Sequence, residues 1–472
     1  MDLISFTDGL QTTTSSFLRK DSQLELAVNV HCDNVGSVTK RLGYTEQGTA
    51  TSSSAIRGLH SYADIAGGTT RLFRAFNSSI EWYSGSAWNA IGGTYSVATA
   101  NVEMRVFLDQ LFIFGANSSA QYITPINIDG TTFSNSTNLT GAPRGRFVET
   151  FLDQLYVADV EVSGVRYGSR FYRSSIPNSG GTDITWPTTN YENILTNNGE
   201  TITGIHANNA LNQLLIFKES SLHAWDTFRI KNIANIGTNA HRSIVTINFT
   251  TYFFKRGQGI YAYAGIQPQL ISRGIEKWIK GIVDPSVAVA SKEDEKYYKL
   301  YVGDITVDDV TYINCEIRYS TMDNTFTIYS YFDNFTIYGE HVRSGVLRMY
   351  SGTADGEVHE FALGTDTVYA DDGQPIAAEF MTKALDLKRP ESKKFADKSI
   401  IYTTRAQNLT GRLRVRGKDW STYFPVNKTE EPVNLSPQEG RFYQFHFSEN
   451  STDAPFQFEG LSFDVGITSN YV

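Results

Sequence analysis

The sequence predicts an all-β protein: a β-propeller of six or seven blades followed by a β-sandwich. Three observations carry this. A short hairpin recurs, VFLDQLFIF at residues 106–114 returning as TFLDQLYVA at 150–158 and more loosely as ALNQLLIFK at 210–218. The composition favours strands, with 26 Tyr, 29 Phe and only 19% charged residues, because aromatic side chains suit a half-buried pleated surface. Beyond residue 371 the texture changes to longer alternating segments, which read as strands of a different architecture.

Each hairpin unit is two apolar strands around a turn placed at Asp109-Gln110, since Asp and Asn tolerate left-handed backbone. Related units lie at RLFRAFNSSIEWYSG (71–85), NFTTYFFKRGQGIYAYAG (248–265), KYYKLYVGD (296–304) and LRMYSGTADGEVHEF (347–361). Their centres are about 38 to 59 residues apart, against roughly 40 to 50 for a four-stranded blade. Radial repetition also leaves only short, protected strand edges. The propeller is therefore assigned to residues 51–368, with a pair of irregular β-sandwiches as the competing arrangement. One helix is expected, in ISRGIEKWIKGI (271–282), where Ile275, Trp278, Ile279 and Ile282 share a face.

The turn-rich DDGQP (371–375) marks the exit from the propeller. SIIYTT (399–404), RLRVRG (412–417), RFYQFHFSE (441–449) and LSFDVGI (461–467) then alternate with period two, predicting a sandwich over 369–472. Residues 1–50 do not fit the blade pattern and are assigned to the same platform.

Composition also excludes functions. A net charge of −9 argues against a general nucleic-acid binder, whose affinity comes from cations that displace phosphate counterions. The same charge suits a conduit through which DNA slides without sticking. No apolar run approaches the length of a membrane span, and the opening MDLISFTDGLQTTT lacks the features of a signal peptide. Cys32 and Cys315 read as isolated thiols.

No catalytic or cofactor motif emerges. The eight histidines are scattered, with none at a zinc-ligand spacing, and no phosphate-binding glycine loop occurs. Glu293-Asp294-Glu295 reads as a solvated turn rather than a cation site. Arg229 in FRI (228–230) superficially matches a sialidase arginine but reads as a surface residue. The six tryptophans, at 82, 88, 186, 225, 278 and 420, share no blade position, which weakens a second reading as a carbohydrate-binding adhesin. Basic residues cluster at Lys388, Arg389, Lys393 and Lys394, and alternate as Arg412, Arg414 and Arg416. The alternation buries Leu413 and Val415 and offers the arginines to a neighbouring subunit or to DNA phosphates.

The N-terminal segment carries a resemblance. Asp8-Gly9-Leu10-Gln11-Thr12, then Leu24, Leu26, Ala27, Asn29 and Val30, then Val38, Lys40, Arg41, Leu42, Gly43 and Tyr44 follow the opening of β-propeller tail proteins of tailed bacteriophages. Those proteins show Gly, Asn and Pro where this chain has Asp8, Gln11 and Leu42. The segments 287–304 and 352–361 and the DDGQPI junction are similar to phrases in the same proteins. The resemblance implies the nozzle or tail-hub class of short-tailed phages, a structural virion component without enzymatic activity or cofactor, assembled in the host cytoplasm. It implies a platform built from both termini and a ring of copies, commonly six, beneath a head-to-tail adaptor protein. It also implies fibre or spike partners, and dsDNA passing through without sequence-specific binding.

Overall fold

Repetition of one four-stranded antiparallel sheet generates most of the molecule. The computed structural model describes all residues except 1–3, 13–18, 33–35, 50–52, 65–67, 93–98, 118–120, 130–132, 134–135, 140, 178–183, 196–197, 365, 388–389, 391, 406–407 and 470–472, and leaves out the side chains of 129, 136, 396–397, 435–438 and 464–469. Five separate four-stranded sheets follow in chain order between Ile56 and Leu270. The sixth blade comprises Val289–Glu293, Tyr297–Val307, Val310–Ser320 and Phe326–Ser330. The seventh takes Phe335–Arg343, Val346–Thr353 and Val358–Phe361 from its own stretch of chain, and its fourth strand, Tyr44–Glu46, from the N-terminal segment. The protein is thus a seven-bladed β-propeller whose disc is closed by its own N-terminal segment.

Each blade presents apolar side chains on both faces, so each gap between blades becomes a small core. Tyr62, Phe73, Val102, Met104 and Ile113 fill the gap between blades 1 and 2. Phe112, Phe114, Val148 and Leu155 fill the next, and Leu215, Phe217, Ile244 and Phe253 do the same between blades 4 and 5. Burying one such side chain contributes roughly 1.5–3 kcal/mol, so stacking neighbours is what makes any one blade stable.

The hairpin turn lies one residue earlier than the sequence suggested. Phe107 pairs with Gln110 and Phe151 with Gln154, so the two-residue loops are Leu108-Asp109 and Leu152-Asp153, all four at positive φ. That geometry matches the right-handed twist of the flanking strands, and it outweighs the cost of left-handed backbone at Leu. The looser third copy instead turns through a 3-10 segment, Asn209–Leu211, capped by Asn208 and ended by Asn212 in the left-handed region. The expected helix is present as Glu276–Lys280 after a 3-10 turn, with Ile275, Trp278 and Ile279 buried.

The platform is a two-sheet sandwich. One sheet orders Leu24–Val28, Gln374–Thr382, Tyr443–Ser451, Leu409–Val415 and Phe424–Val426. The other orders Val30–Cys32, Val38–Lys40, Gln457–Ser469, Lys393–Arg405 and Glu430–Gly440. Between them Phe380 packs 5.0 Å from both Phe447 and Phe458, and Phe445 packs 5.2 Å from Phe463. The Leu24–Val28 strand also bridges to Ile328 of blade 6, so platform and propeller share a continuous sheet.

Arg41 holds this joint. Its guanidinium is buried, 3% exposed, and donates to both carboxylate oxygens of Asp371 at 2.7 and 2.5 Å, to Asn29 Oδ1 at 2.8 Å and to the Ser330 carbonyl at 2.8 Å. It stacks 4.4 Å from the Tyr331 ring centroid. Two residues on, Gly43 passes so close to Ala370 that a Cβ would lie 1.9 Å from its carbonyl oxygen. Removing one partner of such a buried pair costs about 3–5 kcal/mol. Arg41→Met is therefore expected to lower the denaturation midpoint sharply, with early loss of protection for residues 44–46 by hydrogen exchange; a wild-type midpoint would show that the joint bears no load.

Candidate functional site

The innermost strands of six blades, all but the third, line an axial cavity of about 760 Å³, a volume in the range of small-molecule sites. Three of these strands carry the same phrase, Ile-x-Gly-x-His: Ile56 to His60 in blade 1, Ile202 to His206 in blade 4 and Ile337 to His341 in blade 7. Each position has a mechanical reason. The isoleucines are buried between blades. The glycines admit the neighbouring blade, since a Cβ would meet Met104 and Val102 at Gly58, His241 and Ile244 at Gly204, and Leu59 at Gly339. The histidines then reach the cavity wall.

These imidazoles bond sideways. His206 Nε2 lies 2.9 Å from Thr246 Oγ1 of blade 5, and His341 Nδ1 lies 2.9 Å from Ser61 Oγ of blade 1. Burial pushes His60 down to about 3 and His206 and His341 down to about 4, so all three are neutral at neutral pH.

Charge in the cavity is paired across blades. Arg105 of blade 2 forks onto Glu149 of blade 3 at 2.9 and 3.1 Å. Glu103 of blade 2 faces His241 and Arg242 of blade 5 at 3.6 and 3.5 Å. Burial raises the Glu103 carboxyl, but His241, Arg242 and Arg105 outweigh it and hold it down at about 2. Arg242 also donates to the carbonyls of Arg57, Val102 and Thr336, at 2.6, 3.3 and 3.4 Å. One guanidinium from blade 5 therefore spans the axis to blades 7, 1 and 2, and forms a strut across one end. With Glu103 and Glu149 held ionised, neither serves as a general acid at neutral pH. Glu340 differs: burial pushes its carboxyl up.

The motif residues singled out in the N-terminal segment lie elsewhere, along the joint. Gly9 turns with φ +60° against Thr325 and Leu10 is buried. Asn29, also left-handed, donates to the Ala377 carbonyl at 2.7 Å and accepts from the Ser330 amide. Val30 is buried, Lys40 pairs with buried Glu449 at 2.5 Å, and Tyr44 sits among Tyr331, Phe335, His359 and Phe361.

Arg412 and Arg414 share a face, as the alternation requires, while Leu413 and Val415 are buried. Arg412 donates to His446 Nδ1 at 3.0 Å, Arg414 to Gln444 Oε1 at 2.8 Å, and both stack on Trp420. Arg416 is exposed beside Phe442. Lys388 and Arg389 lie outside the described residues, so their grouping with Lys393 and Lys394 has no structural account. Arg229 is a surface residue paired with Asp226 at 3.3 Å. Glu293 departs from the solvated-turn expectation: it accepts from Arg318 at 2.8 Å and Lys299 at 3.1 Å, while Asp294 and Glu295 are exposed. Among the described residues, one group has the closeness of a metal-ligand set, Asp333, Glu357 and His359.

The class is thus a seven-bladed β-propeller fused to a β-sandwich built from both chain ends. No family model matches the sequence, and no curated protein matches it. Among solved structures, it is similar to the β-propeller domain of Cps50 (Swd1) from Myceliophteria thermophila, with TM-score 0.43 and 9% identity, covering 68% of this chain and 100% of that one. It is also similar to PorZ, a bacterial surface component of the type-IX secretion system of Porphyromonas gingivalis, with TM-score 0.39 and 10% identity, covering 82% of this chain and 46% of that one. The likeness is one of fold, and neither is a phage tail protein.

The cavity histidines set a pH dependence. An imidazole whose pKa falls on folding binds fewer protons folded than unfolded between about 4 and its ordinary 6.5, so stability rises with pH across that window. His60 faces Arg105, Glu149 and Glu103; His206 faces Glu149, Arg105, His241 and Lys292; His341 faces Glu360, Arg343 and Arg71. Raised carboxyls such as Glu340 act in the opposite direction, so the comparison is made between variants. The melting temperature of H60Q/H206Q/H341Q is expected to fall less than that of wild type between pH 7 and pH 4.5; parallel curves would refute the assignment.

Proposed function

We propose that this chain is a structural, non-enzymatic component of a phage tail, a nozzle or hub subunit that forms a ring below the head-to-tail adaptor. In this reading the ring conducts dsDNA during ejection and supports fibres or spikes. One observation carries it: most of the residues through which the N-terminus resembles nozzle proteins lie where platform meets disc. Gly9, Asn29, Arg41, Gly43 and Tyr44 make joint contacts, while Lys40 ties the two sheets of the platform to each other through Glu449. A rigid joint of this kind suits a subunit that transmits load from a docked platform to an outward propeller.

DNA would pass through the lumen of the ring and not through the propeller. The axial cavity has the volume of a small-molecule site and is crossed by Arg242. An acidic protein, at −9 overall, gives passing phosphates few counterion-release contacts. The outer face of the platform strand Leu409–Val415 supplies the subunit contact, with Arg412 and Arg414 and their Trp420 stack as its anchors, since Arg and Trp dominate interface energetics.

Electron microscopy of the purified chain with its adaptor is expected to show closed rings. Arg412→Glu with Arg414→Glu should raise the protein concentration needed for ring formation by at least about tenfold, which corresponds to ~1.4 kcal/mol, at a temperature where circular dichroism shows the variant still folded. Persistent monomers that fail to bind adaptor would refute the proposal, and a glycan-array signal from such monomers would favour the adhesin reading.

A further inference from the structure

At one end of blade 7, beside the closing strand Tyr44–Glu46, two acidic turns meet a buried imidazole. His359 Nε2 lies 3.5 Å from Glu357 Oε2 and 3.7 Å from Asp333 Oδ2, and one ligating atom from each of the three residues lies within 4.8 Å of the others. Donors that share a tetrahedral ion at about 2.1 Å are roughly 3.4 Å apart, which is close to both imidazole separations. The His359 side chain is 0% exposed, and neither ring nitrogen has a hydrogen-bond partner. Buried polar groups are normally satisfied, so an unpartnered imidazole aimed between two carboxylates has the character of a cation ligand.

Charge points the same way. Among the described residues the only ion-pair partner of Asp333 or Glu357 is His359 itself. Glu46, Asp355 and Asp372 stand near enough to repel Glu357, while Asp371 is already taken by Arg41. The turns are held in place without an ion. The Ala354 amide donates to the Asn334 carbonyl at 3.0 Å, and the Glu357 amide donates to Thr353 Oγ1 at 3.0 Å. Tyr44 donates to Asp333 Oδ2 at 2.7 Å, the kind of outer contact that orients a metal-bound carboxylate.

We propose that Asp333, Glu357 and His359 bind one divalent transition-metal ion, Zn²⁺ in preference to Ca²⁺ or Mg²⁺. His359 Nε2 and one oxygen from each carboxylate supply three ligands, and solvent completes the shell on the side of Glu357, whose side chain is 36% exposed. An imidazole among the donors selects Zn²⁺ over the harder ions, which take oxygen alone. The ion would fasten the loop before blade 7, its third strand and, through Tyr44, the N-terminal strand that closes the disc.

The test uses the full chain, stripped with EDTA and titrated with ZnCl₂, with bound metal counted by mass spectrometry. One Zn²⁺ per chain is expected, with a rise in melting temperature. Asp333→Asn and Glu357→Gln should each weaken Zn²⁺ at least about tenfold, while melting like wild type in EDTA. H60Q/H206Q, which alters the axial histidines, should leave Zn²⁺ binding unchanged. The proposal is overturned by no stoichiometric uptake, by unchanged affinity in both carboxylate variants, or by loss of the ion in H60Q/H206Q.

Discussion

Burial of the Arg41 guanidinium is the constraint on which the rest of the architecture depends. A charge removed from water is tolerated only when its donors are all met and a counter-ion is close. Here the acceptors come from three places: Asn29 of the N-terminal segment, Ser330 at the end of blade 6 and Asp371 at the exit from the propeller. All three stretches must be in place before the guanidinium is satisfied. The joint therefore forms as a unit, and Tyr44–Glu46 is delivered to blade 7 in fixed register.

The disc solves a second problem, that of seven sheets converging on one axis. Between blades the contacts are apolar, but at the axis the inner strands bring polar and charged side chains together. The chain meets this with cross-blade pairs, Arg105 with Glu149 and Arg242 with Glu103, and with imidazoles kept neutral by burial. Arg242 reaches carbonyls of three blades opposite its own, so the ring is closed through its centre as well as around its rim.

The two ends of the chain meet in one sandwich, and the sheet of that sandwich continues into blade 6 through Leu24–Val28. A platform built this way moves with the propeller as one body, because bending at the joint would break ladder hydrogen bonds and the Arg41 contacts together.

Much of this was legible in the sequence. The hairpin phrase at 106–114 and 150–158 determined strands, turns and an approximate blade period, because two-fold alternation and left-handed turn residues act locally. The turn itself was misplaced by one residue, since register is decided by pairing across the hairpin and not by turn propensity. Ile-x-Gly-x-His was present three times, yet it is invisible to a reading that looks for apolar hairpins: its glycines and histidines answer to the next blade and to the axis. The assembly of Asp333 with Glu357 and His359 was equally out of reach, as a loop between blades and a turn within one become neighbours only when blade 7 closes. By itself the sequence determined the all-β class and the propeller, because these follow from periodicity. Only the tertiary structure decided that Tyr44–Glu46 completes the last blade, that Arg41 is a buried link and that Arg242 ties blade 5 to blades across the axis, where the sequence shows two ordinary basic residues. A charge's partners are set by long-range closure, and no local pattern encodes them.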